Sequence, residues 1–378
     1  MRFHVALLAS LALVALPVGC AQILGYDGLN PRQDDASLDA LGDALDEADV
    51  ADTGPQPIHP PARPAGLPQT ASGTGKTLTL AVKRVYLGTQ THLGDTTSTA
   101  WQEWGYDLDG LCTDLNDSTQ SLFTCRRVDG STNDVLVDGQ RCRDNNFGSQ
   151  IMALVMTYNT KVEITTDLSL LGGSGTLALV LSDVDPGDDG YAPGALYRIA
   201  GMPSGDTPVW DGTDVRTVTA DSVTGGDLTK PVVTFPGGYI AGDLWVSGDP
   251  ASFALEFGVQ STRLVLPIQS GTITIALDAA RTGSPQPALI AGAISTSDVG
   301  AAMSPIAEQA GLCPGNGLYD GLIAKLQTFP DVVIGAPNLQ DTTKTCDGIS
   351  IGLGFDLAPI RPLATVVPAP APPTSKCP

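Results

Sequence analysis

The sequence predicts an all-β domain, a β-sandwich or incomplete barrel stapled by disulfides, with two or three short helices near the C-terminus. Three observations carry this reading. Apolar residues alternate with polar ones over several short runs, the signature of half-buried strands. Gly (43) and Pro (29) are abundant among the 378 residues, which suits turns better than long helices. Of the 41 acids only five are Glu (47, 103, 163, 256 and 308), and the rest are Asp, a residue of turns and loops.

Alternation begins near Thr77. Leu78, Leu80 and Val82 share one face, and the phase slips at Lys83–Arg84 to Val85 and Leu87, as at a β-bulge. Residues 161–170 alternate most regularly and read as a strand: Val162, Ile164, Leu168 and Leu170 face one way, Lys161, Glu163, Thr165, Asp167 and Ser169 the other. A strand at Leu177/Leu179/Leu181 leads into an acidic turn, Asp183–Gly190. Three runs then follow with short links, Phe253/Leu255/Phe257/Val259, Leu264/Leu266/Ile268 and Ile273/Ile275/Leu277, so an antiparallel meander is expected. Ile349/Ile351/Leu353/Phe355 forms the last strand. Helical spacing marks Asp298–Ala310, where Pro305 kinks the helix or starts a second one behind Ser304, and Leu318–Gln327.

The amino terminus reads as an address. Met1–Arg2 precedes an uncharged run, Val5–Val18, too short to span a bilayer but suited to a signal-peptide core. It ends in Leu16-Pro17-Val18-Gly19-Cys20, which is similar to a bacterial lipobox although Pro17 replaces the usual aliphatic residue. Cys20 would then be the lipidated first residue of the mature chain, after a signal peptide of residues 1–20. Cleavage after Ala21 is the rival outcome and would release a soluble protein. Ala21 behind the cysteine favours the outer membrane, facing the periplasm or the cell surface. Residues 21–72 read as a tether: eight acids and no base lie between Asp34 and Asp52, then six prolines between Gly54 and Ser72. A single β-rich domain, 73–363, and a Pro-rich tail, 364–378, complete the expected organisation.

Seven cysteines are present: Cys20, Cys112, Cys125, Cys142, Cys313, Cys346 and Cys377. Setting Cys20 aside leaves six in an oxidising compartment, hence up to three disulfides. Three lie in 112–142 and three in 313–377, so complete intramolecular pairing requires at least one bridge between the clusters. The alternative is one free or intermolecular cysteine in each. Cys313 precedes the Leu318–Gln327 helix and Cys346 the last strand, so a local 313–346 bridge clamping helix to sheet is expected. Cys377 would then be tied to an N-terminal cysteine and the other two would close the Asp-rich loop region, although spacing alone hardly separates these pairings from their neighbours.

The chemistry-bearing residues are sparse. His92 is the lone histidine of the expected domain, since His4 lies in the signal peptide and His59 in the tether, so no nucleophilic triad is marked. Zinc is disfavoured by the scarcity of His and the lack of a CxxC pair. Ser72-Gly73-Thr74-Gly75-Lys76-Thr77 looks like a phosphate loop but lacks its first glycine, follows a proline-rich stretch and opens a strand. Asp107, Asp109, Asp138, Asp144 and Asn145 form a candidate calcium set, oxygen donors spaced along glycine-containing loops. Their competing reading is structural, with Asp109-Gly110 and Asp138-Gly139 as turns and Asp144 and Asn145 bonding backbone amides. Beyond that candidate ion no cofactor is implied. A net charge of -21 excludes nucleic acid as a partner. A non-enzymatic binding or structural module, with a glycan or an envelope protein as partner, is favoured. A polysaccharide hydrolase using paired carboxylates is the alternative.

The chain also resembles a group of uncharacterised lipoproteins from myxobacteria and related deltaproteobacteria. The resemblance rests on Gly19-Cys20 followed by Ile23-Leu24-Gly25-Tyr26, the acidic tether, Gly105-Tyr106-Asp107-Leu108-Asp109-Gly110 and the Asp138–Gly148 stretch. Pro208-Val209-Trp210-Asp211-Gly212, Cys313-Pro314-Gly315 and the Cys346–Phe355 run also fit. It implies a surface or periplasmic lipoprotein anchored to the outer membrane, and no established activity.

Overall fold

The computed structural model describes residues 57–113, 124–128, 136–173, 175–203, 205–259, 262–309, 311–371 and 377. The chain divides into two units, Met1–Asp49 and Val50–Pro378, and every described residue belongs to the second. The signal sequence, Cys20 and the acidic part of the tether lie outside the described residues.

Twelve strands occur among the described residues: β1 (Lys76–Tyr86), β2 (Leu177–Val184), β3 (Gly194–Gly201), β4 (Thr217–Thr219), β5 (Val233–Phe235), β6 (Tyr239–Ala241), β7 (Leu244–Val246), β8 (Ala251–Val259), β9 (Thr262–Ala276), β10 (Ala288–Ser295), β11 (Gly348–Pro359) and β12 (Thr365–Val367). They form one sheet in the order β12-β4-β3-β2-β1-β11-β10-β9-β7-β6, with β5 added to β3 and β8 to β9. Only β12–β4 is parallel; the other pairings are antiparallel. The sheet curls on itself. Phe235 of β5, at one end of the order, packs edge-on against Trp245 of β7, near the other, at 6.1 Å. Ile240 of β6 exchanges both backbone hydrogen bonds with Asp189 in the β2–β3 loop (2.8 and 2.9 Å). One apolar core fills the interior, from Leu80 and Leu179 through Leu255 and Ile273 to Phe355. The expected incomplete barrel is what forms.

The phase slip at Lys83 is a bulge, because the β1–β11 register shifts between Val82 and Arg84. Two expected runs, 264–268 and 273–277, prove to be one bent strand, β9. Its first half pairs with β8 and its second with β10 and β7, and Ser270 takes a left-handed φ of 50° at the bend. The tail expected from 364 contains a strand, β12.

The helices are not confined to the C-terminal part. Besides α3 (Thr296–Gln309), which continues through Pro305, and α4 (Gly317–Leu326), two helices α1 (Ala153–Tyr158) and α2 (Val162–Leu171) lie mid-chain. The expectation of a strand over 161–170 is therefore overturned. In α2, Glu163 and Asp167 face inward while Ile164 and Leu168 stand 41% and 42% exposed. The inversion has a backbone cause. The chain runs on through the end of β1 to Thr89, past the pairing with β2, so alternate amides on that edge lack ladder partners. Asp167 Oδ1 accepts from Val85 N–H (2.9 Å), Glu163 Oε1 from Leu87 N–H (3.0 Å) and Oε2 from Thr89 N–H (3.0 Å). One helical turn rises ~5.4 Å and two strand residues ~6.7 Å, so carboxylates four residues apart match alternate amides.

The proline-rich stretch is no free spacer from residue 57 onward. Ile58 donates its N–H to Arg141 O (3.1 Å) and accepts from Asp107 N–H (3.0 Å). Tyr239 OH donates to Pro61 O (2.6 Å). Arg63 lies over the Tyr239 ring and binds the carbonyls of Gly190 and Gly237. Asp183 gathers the amides of Ser72, Gly73 and Gly75 at 2.6–3.2 Å, so the phosphate-loop look-alike is a carboxylate-capped turn. Prolines leave carbonyls with no competing N–H, and the domain supplies the donors.

Two outcomes are expected. Limited proteolysis with a nonspecific protease should yield a resistant fragment whose N-terminus, read by mass, lies at or before residue 57, and Arg63→Ala should open 57–72 to cutting. A wild-type fragment starting beyond 72 would show that the strap does not hold. The second concerns pH. Burial, with Glu163 and Asp356 nearby, pushes Asp167 up to about 8 against the Val85 amide and Arg84. An unfolded Asp loses its proton near pH 4, so between these values the native state binds more protons and stability falls as pH rises. Asp167→Asn keeps an acceptor for Val85 and should gain about 1 kcal/mol or more on wild type between pH 5 and pH 8 in urea melts. Equal slopes for the two proteins would contradict this.

Candidate functional site: a buried aspartate cluster

The segment Trp101–Cys112 lies across β11 because two glycines there have no side chain. A Cβ on Gly352 would fall 2.7 Å from the Gly105 Cα, and one on Gly354 would run into the Trp104 ring. Trp104 stacks on Tyr86 at 4.6 Å and donates its indole N–H to Gln90 O (3.0 Å). Tyr106 pairs its hydroxyl with Thr274 Oγ1 (2.8 Å). Asp107 and the residues after it are thereby pressed against 136–146, which a Cys112–Cys142 disulfide ties to the same segment.

Asp107, Asp109 and Asp144, each 5% exposed or less, bring carboxylate oxygens within 4.8 Å of one another. Backbone amides lock each one: Gly110 N–H donates to Asp107 Oδ1 (2.7 Å), Leu111 N–H to Asp109 Oδ1 (2.8 Å) and Leu108 N–H to Asp144 Oδ2 (2.6 Å). Thr124 donates its hydroxyl to Asp109 Oδ2. Asp138 accepts from Thr113 N–H (2.5 Å). Asp331 accepts from Ser350 N–H (2.8 Å) and Ser350 Oγ (2.5 Å).

All five carboxyls titrate above the ordinary range, and burial is the first cause for each. Asp138 reaches about 8, raised further by Asp109, Asp331 and Asp107. Asp331 reaches about 7, with Asp109 adding to the burial effect. Asp144 is held well above the usual carboxylate range by burial and by Asp109, Asp138 and Asp331. Asp107 and Asp109 are raised more weakly, each opposed by its backbone amide. Among the described residues the ion-pair partner of this group is His59, whose Nε2 stands 3.6 Å from Asp107 Oδ2. Arg143 is turned elsewhere, onto the Gly105 and Gln140 carbonyls.

Three of the five residues grouped as a calcium set thus meet, Asp138 is near enough to be raised by Asp109 and Asp107, and Asn145 does not serve as the expected ligand. Its Oδ1 already accepts from Gly148 N–H (2.9 Å) and Gly352 N–H (3.0 Å), and its Nδ2 donates to Trp101 O (3.1 Å). Asp331 and His59 were not legible as members: the first follows Phe329-Pro330 with no acidic pattern, the second sits in the proline-rich stretch. The other acidic loop, Asp183–Gly190, is a set of turn caps, with Asp188 on Gly242 N–H and Asp189 on Tyr191 N–H. His92 pairs with Glu103 (3.0 Å).

The cysteine argument is resolved beside this site. The bridges are Cys112–Cys142, Cys125–Cys346 and Cys313–Cys377, with Cα atoms 4.7, 5.3 and 5.5 Å apart. One of them crosses between the clusters, as parity requires, but the expected 313–346 pair and the tie from Cys377 to an N-terminal cysteine do not form. Strand-like pairing chooses the partners: Arg126 N–H donates to Lys344 O and Cys346 N–H to Arg126 O, both at 2.8 Å, which sets Cys125 beside Cys346. No family model, no curated protein and no solved structure matches the chain.

The cross-cluster bridge spans 221 residues, a loop whose closure is worth about 5 kcal/mol in the chain-entropy model. Urea unfolding of the Cys125→Ala, Cys346→Ala double variant should register a loss of about 2–5 kcal/mol. Unchanged stability would mean that this link does not constrain the unfolded chain.

Proposed function

We propose that this chain is a lipid-anchored protein of the cell envelope, whose disulfide-braced β domain serves as a non-enzymatic binding or structural module at the outer membrane. The observation that carries the compartment is the pairing of all six cysteines outside the signal region, since such bonds persist in oxidising surroundings. The lipobox at Cys20 and the resemblance to envelope lipoproteins supply the anchor. No helix among the described residues is long and apolar enough to cross a membrane.

The non-enzymatic reading is supported by how the acids are used. A glycosidase sets two carboxylates about 5–10 Å apart on either side of an open substrate cleft. Here Asp107, Asp109 and Asp144 are buried and bound to backbone amides, a bracing arrangement. A glycan or another envelope protein is the proposed partner, and the negative charge disfavours phosphate-rich polymers.

Fractionation of cells expressing Cys20→Ser should find the protein in the soluble fraction or with its signal uncleaved, against wild type in the outer membrane. Unchanged mass and partitioning would refute the anchor. Incubation of the purified full chain with cell-wall sacculi should give cosedimentation without release of reducing ends; steady release would make it a hydrolase.

A further inference from the structure

We propose that Asp107, Asp109 and Asp144 bind one calcium ion, with the Asp138 and Asp331 carboxyls beside them. The first observation is geometric. Three carboxylate oxygens lie within 4.8 Å of one another, and oxygens on a single calcium at 2.3–2.6 Å can stand at most about 5 Å apart. The second is a buried acceptor that no hydrogen bond satisfies, with His59 Nε2 no nearer than 3.6 Å. Asp107 has a wholly buried side chain, and its Oδ2 has no hydrogen-bond partner. That oxygen belongs to a carboxylate of the converging trio, and an unsatisfied buried carboxylate oxygen is costly.

Among the described residues the nearest counter-charge is a partly exposed histidine. The His59 side chain is 54% exposed and, of the five acids, meets Asp107, with Nδ1 3.2 Å from its backbone oxygen and Nε2 3.6 Å from Oδ2. Lys and Arg side chains form no ion pair with any of the five acids among the described residues. The donors are all hard oxygens, which suits calcium or magnesium and disfavours zinc or copper. Calcium is favoured over magnesium because ligands fixed by backbone amides and a disulfide cannot contract freely to an octahedral shell. The Gly110, Leu111 and Leu108 amides orient the three carboxylates, as outer partners do in metal sites. The ion would clamp the 107–112 loop to Asp144, and through the Cys112–Cys142 bridge the loop to its neighbour. This inference stands apart from the localisation proposal.

The test uses the full chain, oxidised, purified in detergent and stripped with EGTA. Calorimetric titration with calcium chloride should show one site per chain, with a Kd of about 10⁻³ M or tighter, and the melting temperature should rise with calcium and fall with EGTA. Asp109→Asn and Asp144→Asn should weaken binding by about tenfold or more, whereas Asp188→Asn, in the other acidic loop, should bind as wild type. If either variant fails to fold, Asp107→Asn, which retains its acceptor for Gly110, addresses the same site. No heat and no shift in melting for wild type would overturn the proposal. So would loss of binding in Asp188→Asn with retention in Asp109→Asn, or equal competition by magnesium.

Discussion

The architecture depends on completing β-ladders that outrun their neighbours. β1 and the residues just after it continue beyond β2, and Asp167 and Glu163 accept from the amides of Val85, Leu87 and Thr89. β11 extends before its pairing with β1 begins, and there Asp331 and Asn145 accept from Ser350 and Gly352. In both places side-chain oxygens stand where a strand's carbonyls would have been. An amide left unpaired in the interior costs about as much as several surface contacts yield. The helix α2 and the loops around the aspartate cluster are therefore placed by backbone donors as much as by apolar packing.

This explains the dominance of aspartate over glutamate, and it separates the acids into two populations. Asp211, Asp227 and Asp341 each accept from the amide and hydroxyl of a threonine two residues on, lie exposed or half-buried at the surface, and are held below the usual carboxylate range. Short side chains reach their own backbone easily, which is the chemistry of Asx turns. The second population, Asp107, Asp109, Asp138, Asp144, Asp167 and Asp331, is turned inward and held above the usual range by burial. The same residue type thus closes turns outside and, where several meet inside, holds its protons to higher pH.

The strands legible in the sequence were those with one wet face or a clear alternation: β1 with its bulge at Lys83, β2, β8 and β11. β10 escaped because Ala288–Ser295 is apolar nearly throughout and buried on both faces, so no period of two remains. Residues 161–170 misled because 162, 166 and 170 lie on one face of a helix and alternate positions of a strand, and the acids that look solvent-facing are bound to β1. The aspartate cluster was half legible. Asp107, Asp109, Asp138 and Asp144 lie close in sequence, whereas Asp331 arrives only through the chain's return to β11.

The sequence by itself determined the β-rich class, the turn chemistry and, through odd cysteine counts in two clusters, that complete pairing needs a bridge between those clusters. Periodicity and parity are local or countable properties and survive without coordinates. Only the tertiary structure decided that the bridge is Cys125–Cys346, that residues 57–72 strap onto the domain, and that Asn145 holds Gly148 and Gly352. Each of these depends on which backbone donors and acceptors are left over once the sheet has formed, and that remainder is set by strand length and register across distant parts of the chain.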